Sequence, residues 1–153
     1  MAEESVDLRK ERAKNSTSPA ELEKLAEDKE WSVRAGVAAN TNTPVSVLEK
    51  LAEDRDTRVR MSVAESICEH LGDKTWAKKI YKQIEDNAEY SFDFRYLANS
   101  LCKRLSDKEW AKKLYKKAED KAEGDFDFLR IAESICEQLD DKTWAKKIYK
   151  QIE

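Results

Sequence analysis

Residues 66–85 read SICEHLGDKTWAKKIYKQIE, and the same text returns twice. It reappears 34 residues on as SLCKRLSDKEWAKKLYKKAE, residues 100–119, and again as SICEQLDDKTWAKKIYKQIE, residues 134–153. A fixed period of this size marks a stacked repeat array, in which each unit buries its apolar face only against its neighbours. In the middle copy Phe94, Leu97, Ala98, Leu101, Cys102 and Leu105 fall at steps of three and four, the spacing of one buried helix face. A second helix follows, with Trp110, Ala111, Leu114, Tyr115 and Ala118 as its buried stripe. Ser91 and Asp107 are the expected N-caps of the two helices, and Asp73 and Asp141 match Asp107 in the flanking copies.

The same period explains residues that would otherwise suggest chemistry. Cys68, Cys102 and Cys136 stand one period apart, so they are expected in one buried slot rather than as metal ligands. Trp76, Trp110 and Trp144 are expected in the core for the same reason. The sequence holds no Gly-rich phosphate loop, no Ser/His/Asp set and no metal-ligand spacing, and His70 is its one histidine. The expectation is therefore no catalytic residues, no cofactor and no metal.

Working toward the N-terminus, the text changes. Asn15-Ser16-Thr17-Ser18-Pro19 precedes Leu22, Leu25-Ala26-Glu27-Asp28, Val33-Arg34 and Val37-Ala38. Asn40-Thr41-Asn42-Thr43-Pro44 precedes Leu48, Leu51-Ala52-Glu53-Asp54, Val59-Arg60 and Val63-Ala64. This period is 25 to 26 residues. Each Pro is placed in the first turn of a short helix that ends at the Glu-Asp pair, and a second helix begins near Trp31 and Thr57. Asp7–Lys14 aligns with Ser32–Ala39, with Leu8 at Val33 and Arg12 in place of Val37. That half-repeat reads as an N-terminal cap.

The N-terminal pattern resembles the leucine-rich repeat variant family, a HEAT-like right-handed solenoid of short helices. The resemblance assigns residues 1–64 to such repeats with their cap. Cysteines for the iron–sulfur module that family can carry are missing. The Ala111-x3-Tyr115-x2-Ala118 spacing, with the 34-residue period, resembles the tetratricopeptide repeat, over residues 58–153 in three copies. Val63, Ala64, Ile67, Cys68 and Leu71 align with Leu97, Ala98, Leu101, Cys102 and Leu105, so the two arrays share a helix. The expected fold is all-α: one continuous right-handed α-solenoid of helix-turn-helix repeats over residues 1–153, with about ten short helices.

Composition bounds the function. Charged and apolar residues each make up 40%, with 3 Gly and 2 Pro, which suits helices and excludes a turn-rich β fold. Net charge is −3; residues 1–64 hold 11 basic and 13 acidic groups, and the remainder 18 and 19. Neither part has the basic excess of a dedicated nucleic-acid binder. No apolar run approaches the roughly 18 residues that span a bilayer, and the acidic start is unlike a signal peptide. A cytoplasmic protein without membrane contact is expected. Trp144, Ile148, Tyr149 and Ile152 should carry an apolar side ready for a further repeat. That leaves three readings open: a fragment of a longer array, self-association through this helix, or an engineered, consensus-derived piece.

Copies that agree elsewhere differ on the exposed side of their first helix. There the middle copy carries Arg95, Tyr96, Asn99, Lys103 and Arg104, between more acidic neighbours. In tetratricopeptide-like solenoids this helix lines the concave groove, so the resemblance makes these residues a candidate peptide-binding patch. The leading expectation is a non-enzymatic scaffold for a protein or peptide. One rival is a nucleic-acid-binding solenoid using a ridge of Lys78, Lys79, Lys82, Lys112, Lys113, Lys116, Lys146, Lys147 and Lys150. The other is a structural or designed array with no natural ligand.

Overall fold

The computed structural model describes residues 2–152. They form ten α-helices and one π turn: α1 (Val6–Asn15), α2 (Pro19–Leu25), α3 (Trp31–Ala39), α4 (Val45–Leu51), α5 (Thr57–Ser66) with its π continuation (Ile67–Leu71), α6 (Lys74–Asn87), α7 (Ser91–Leu105), α8 (Lys108–Asp120), α9 (Asp125–Leu139) and α10 (Lys142–Tyr149). The described residues contain no strand, and the class is all-α. Among the described residues no helix is long and apolar enough to cross a membrane. The chain divides into two compact units, residues 1–84 and 85–153, with the division inside α6.

In the first unit α3 packs between α1 and α5, while the short α2 and α4 lie against these longer helices. Val33, Val37, Val59, Val63, Ala64 and Ile67 are completely or almost completely buried along this seam. At Gly36 a Cβ would meet Ala13 Cβ at 3.1 Å, so the glycine sets how closely α1 approaches α3. Pro19 opens α2, as its position predicts, and the Ser18 hydroxyl accepts from Glu21 N–H. Pro44 differs: it is the N-cap residue of α4, just outside the helix. Leu8 is exposed although it aligns with buried Val33, and Ala13 is the buried residue of α1. Arg12 takes a charged role at the aligned Val37 position, pairing with Glu4 and Glu21.

Buried polar groups tie these repeats together. Arg34 is 5% exposed and donates through Nε (2.7 Å) and Nη2 (3.1 Å) to Asp54, and through Nη1 to the Asp28 and Lys29 carbonyls. One repeat earlier Arg9 makes the same fork to Asp28, and one repeat later Arg60 donates to the Asp54 carbonyl. Asn40, also buried, donates to the Ala13 and Ser16 carbonyls at 2.9 Å and accepts from Asn42 N–H. Thr43 donates to the Val37 carbonyl. The Asn-x-Asn-Thr-Pro entry is thus a device for satisfying carbonyls that helix ends leave open.

In the second unit α7 packs with α8, α9 with α10, and α9 against both α7 and α8. Leu97, Ala98, Leu101, Ala111, Leu114, Tyr115 and Ala118 are fully buried, as the periodicity predicts. Asp107 and Asp141 cap α8 and α10 by accepting from Trp110 N–H and Trp144 N–H, and in the first unit Asp73 does so for Trp76. Ser91 is not the N-cap of α7. It is the first helical residue, and its hydroxyl donates to the Ala118 carbonyl at 2.8 Å. Asp93 instead reaches back to the Glu89 and Tyr90 amides, and Asp127 does the same for Glu123 before α9.

The three cysteines are half-buried rather than fully buried. So are the three repeat tryptophans, for an identifiable reason. The indole N–H of Trp110 donates to Glu85 at 2.8 Å, and that of Trp144 donates to Glu119 at 3.0 Å. Trp110 and Trp144 each lay the ring along the core edge and leave the N–H at a carboxylate of the preceding repeat.

Candidate functional site

Helix α7 presents one exposed stripe. Phe92, Tyr96, Asn99 and Lys103 follow at steps of four, three and four, on the side opposite buried Leu97, Ala98 and Leu101. Arg95 borders the stripe, its guanidinium 4.5 Å from the centre of the Tyr96 ring. Tyr96 is 56% exposed and Arg95 half-buried, so the ring of this cation–aromatic pair faces solvent. Asn99 is half-buried and already engaged: Tyr115 donates its hydroxyl proton to Asn99 Oδ1 at 2.5 Å. Burial pushes the Tyr115 phenol well above its ordinary range, which keeps it a donor.

Four of the five expected residues, Arg95, Tyr96, Asn99 and Lys103, therefore share one side of α7. Arg104 does not. It is half-buried, and one residue step turns the helix by about 100° from Lys103. Sequence reading left out Phe92, which sits two residues from core Phe94 and so falls outside the buried spacing. It is 50% exposed. Its counterpart one period on, Phe126, is 67% exposed, with Arg130 at 5.2 Å from its ring centre. The recurrence of Phe92 as Phe126, off the core register in both copies, was the available signal.

The lysines of the proposed ridge are exposed on α6, α8 and α10. Two on α8 are paired: Lys112 with Glu109 at 3.2 Å, and Lys116 with Asp120 at 3.3 Å and Glu119 at 3.7 Å. The hydrogen bond to Asp120 is the main cause that raises the Lys116 ammonium above its usual value. Among the described residues no three His, Cys, Asp or Glu side chains are grouped to hold a metal ion. Burial pushes the Cys102 thiol up, so it is a poorer nucleophile than an ordinary cysteine. No family model, curated protein or solved structure matches the chain.

Proposed function

We propose that this chain is a non-enzymatic binding scaffold, a right-handed α-solenoid whose α7 surface takes an acidic segment of a partner protein. The observation that carries this reading is the half-buried Arg95 guanidinium held 4.5 Å from the centre of the exposed Tyr96 ring, on the side of α7 that also carries exposed Lys103. An Arg stacked on an aromatic ring keeps its donors oriented toward a carboxylate while losing little rotamer freedom on binding. Residues from the repeat next door, Glu133 and Glu137, are acidic and fix where along the surface the acidic segment docks. Resemblance of the two repeat types to known scaffold families supports the same reading.

The test is a fluorescence titration with a labelled glutamate-rich decapeptide. Arg95→Ala with Lys103→Glu is expected to weaken binding by roughly tenfold or more, as loss of two charge contacts should. The wild-type affinity is expected to fall as salt rises. Unchanged binding by the double variant removes this surface from consideration. The lysine ridge gains no support from the ion pairs of Lys112 and Lys116, which set those charges against neighbouring carboxylates.

A further inference from the structure

Where α7 begins, the surface folds into a cleft of about 400 Å³. Tyr90 and Phe92 form one wall. Their rings stack with centroids 5.7 Å apart and planes within 1°, yet Tyr90 is 60% and Phe92 50% exposed. An aromatic pair stacked in this way and left so exposed is unusual, because such rings normally take buried positions. The opposite wall comes from the α8–α9 connection and the first turn of α9, with Lys121, Glu123 and Asp127; Glu89 completes the rim. Three carboxylates and one ammonium thus line the cleft together with the aromatic wall.

With Asp127 set against the start of α9, Glu89 and Glu123 remain against Lys121 and keep the cleft negative. Asp93 and Asp127 accept the loop amides just ahead of α7 and α9, offsetting the positive ends of those helices. The carboxylates of Glu89 and Glu123 stand exposed at the mouth. An aromatic face attracts a cation through its ring quadrupole, and nearby carboxylates add a charge contact for the same group. A long aliphatic stem ending in a positive head fits both surfaces together.

We infer that this cleft is a docking site for a basic side chain, a lysine or arginine of a partner segment. The stem lies on Tyr90 and Phe92 and the head group pairs with Glu89, Glu123 or Asp127. The inference stands independently of Arg95, Tyr96 and Lys103 further along α7, since the cleft uses none of those three and calls for the opposite charge in its ligand.

The test uses the full chain, labelled with nitrogen-15, and a decapeptide of alternating lysine and serine. The control peptide carries norleucine at every lysine position, keeping the stem and removing the charge. The lysine peptide is expected to shift the amides of Tyr90, Phe92, Glu123 and Asp127, and the norleucine peptide to leave them in place. Tyr90→Ala with Phe92→Ala is expected to weaken binding by roughly tenfold. Glu89→Gln with Glu123→Gln, which preserves shape on exposed positions, should do the same, and Lys121→Gln should tighten binding by a few-fold. Lys103→Glu, outside the cleft, should leave the cleft shifts unchanged. Equal binding of the norleucine peptide, lysine-peptide shifts confined to Glu133 and Glu137 on α9, or full affinity after loss of both rings would each overturn the inference.

Discussion

Arg34 shows how a charged residue comes to serve as core. Its guanidinium has four partners, two carboxylate oxygens of Asp54 and two carbonyls. The hydrogen bonds to Asp54 are the main reason its pKa rises above the ordinary arginine value. Asp28 sits one repeat earlier in the same ladder. Burial acts to raise its pKa, but the Arg9 fork and the Glu30 amide outweigh burial, and the carboxyl ends below its usual range. A carboxyl depressed in the folded state contributes stability above its unfolded pKa, near ~3.9, and that contribution is lost as pH falls through the lower folded value. Urea midpoints measured from pH 5 downward should therefore drop below about pH 4. Asp28→Asn should be less stable than wild type at pH 5 and show a shallower acid loss; equal slopes in both proteins would exclude Asp28 as a contributor.

At the scale of elements, the helices that open each 34-residue copy all end in the same way. Gly72, Ser106 and Asp140 stand one period apart, and all three have positive φ, 64°, 53° and 53°. Only the first is a glycine. A non-glycine residue in this left-handed region carries a cost on the order of 1 kcal/mol. Ser106→Gly and Asp140→Gly are expected to stabilise the chain by up to about 1 kcal/mol each, while Gly72→Ala should destabilise it by a similar amount. Thermal and urea unfolding check both signs. This detail also shows how far the text of the chain can be read. The period located the core faces of α7 and α8 and the caps Asp73, Asp107 and Asp141, because those depend on spacing and on local backbone geometry. It misplaced Ser91 as a cap, since a serine before an apolar run has the right local form; its true partner, the Ala118 carbonyl, is 27 residues away. Phe92 was missed because spacing assigns a side of the helix and says nothing about an aromatic ring left in solvent. The pairing of Arg34 with Asp54 was not legible either, since only the fold brings the two together.

At the scale of the whole molecule, each unit has its own buried seam, and stability within a repeat array depends on how many neighbours an element has. In the second unit α8 packs against α7 and α9, whereas α10 packs mainly against α9 and reaches α8 through Trp144. Tyr115 on α8 is fully buried and its counterpart Tyr149 on α10 is 39% exposed. Amide exchange is therefore expected to be slower in α8 than in α10, with the protected amides centred on Leu114 and Tyr115. Equal protection of both helices would mean that the unit opens as a single cooperative block. All-α class and the positions of most helices were legible because they follow from periodicity alone. The candidate surfaces were legible only in part, because affinity for a partner resides in residues the periodic core leaves unconstrained.

The paired tryptophans carry a last consequence. Trp110 and Trp144 each donate to a carboxylate from the preceding repeat, so each indole reports on the junction between two repeats and not on its own helix alone. Their emission is expected to shift when that junction loosens, before the helices themselves melt. A chain with Trp31, Trp76 and Trp144 replaced by phenylalanine would leave Trp110 as a single emitter, and the converse set would leave Trp144. The molecule thus carries built-in optical gauges, one at each of these two seams, with which the order in which the two junctions open is read without any added label.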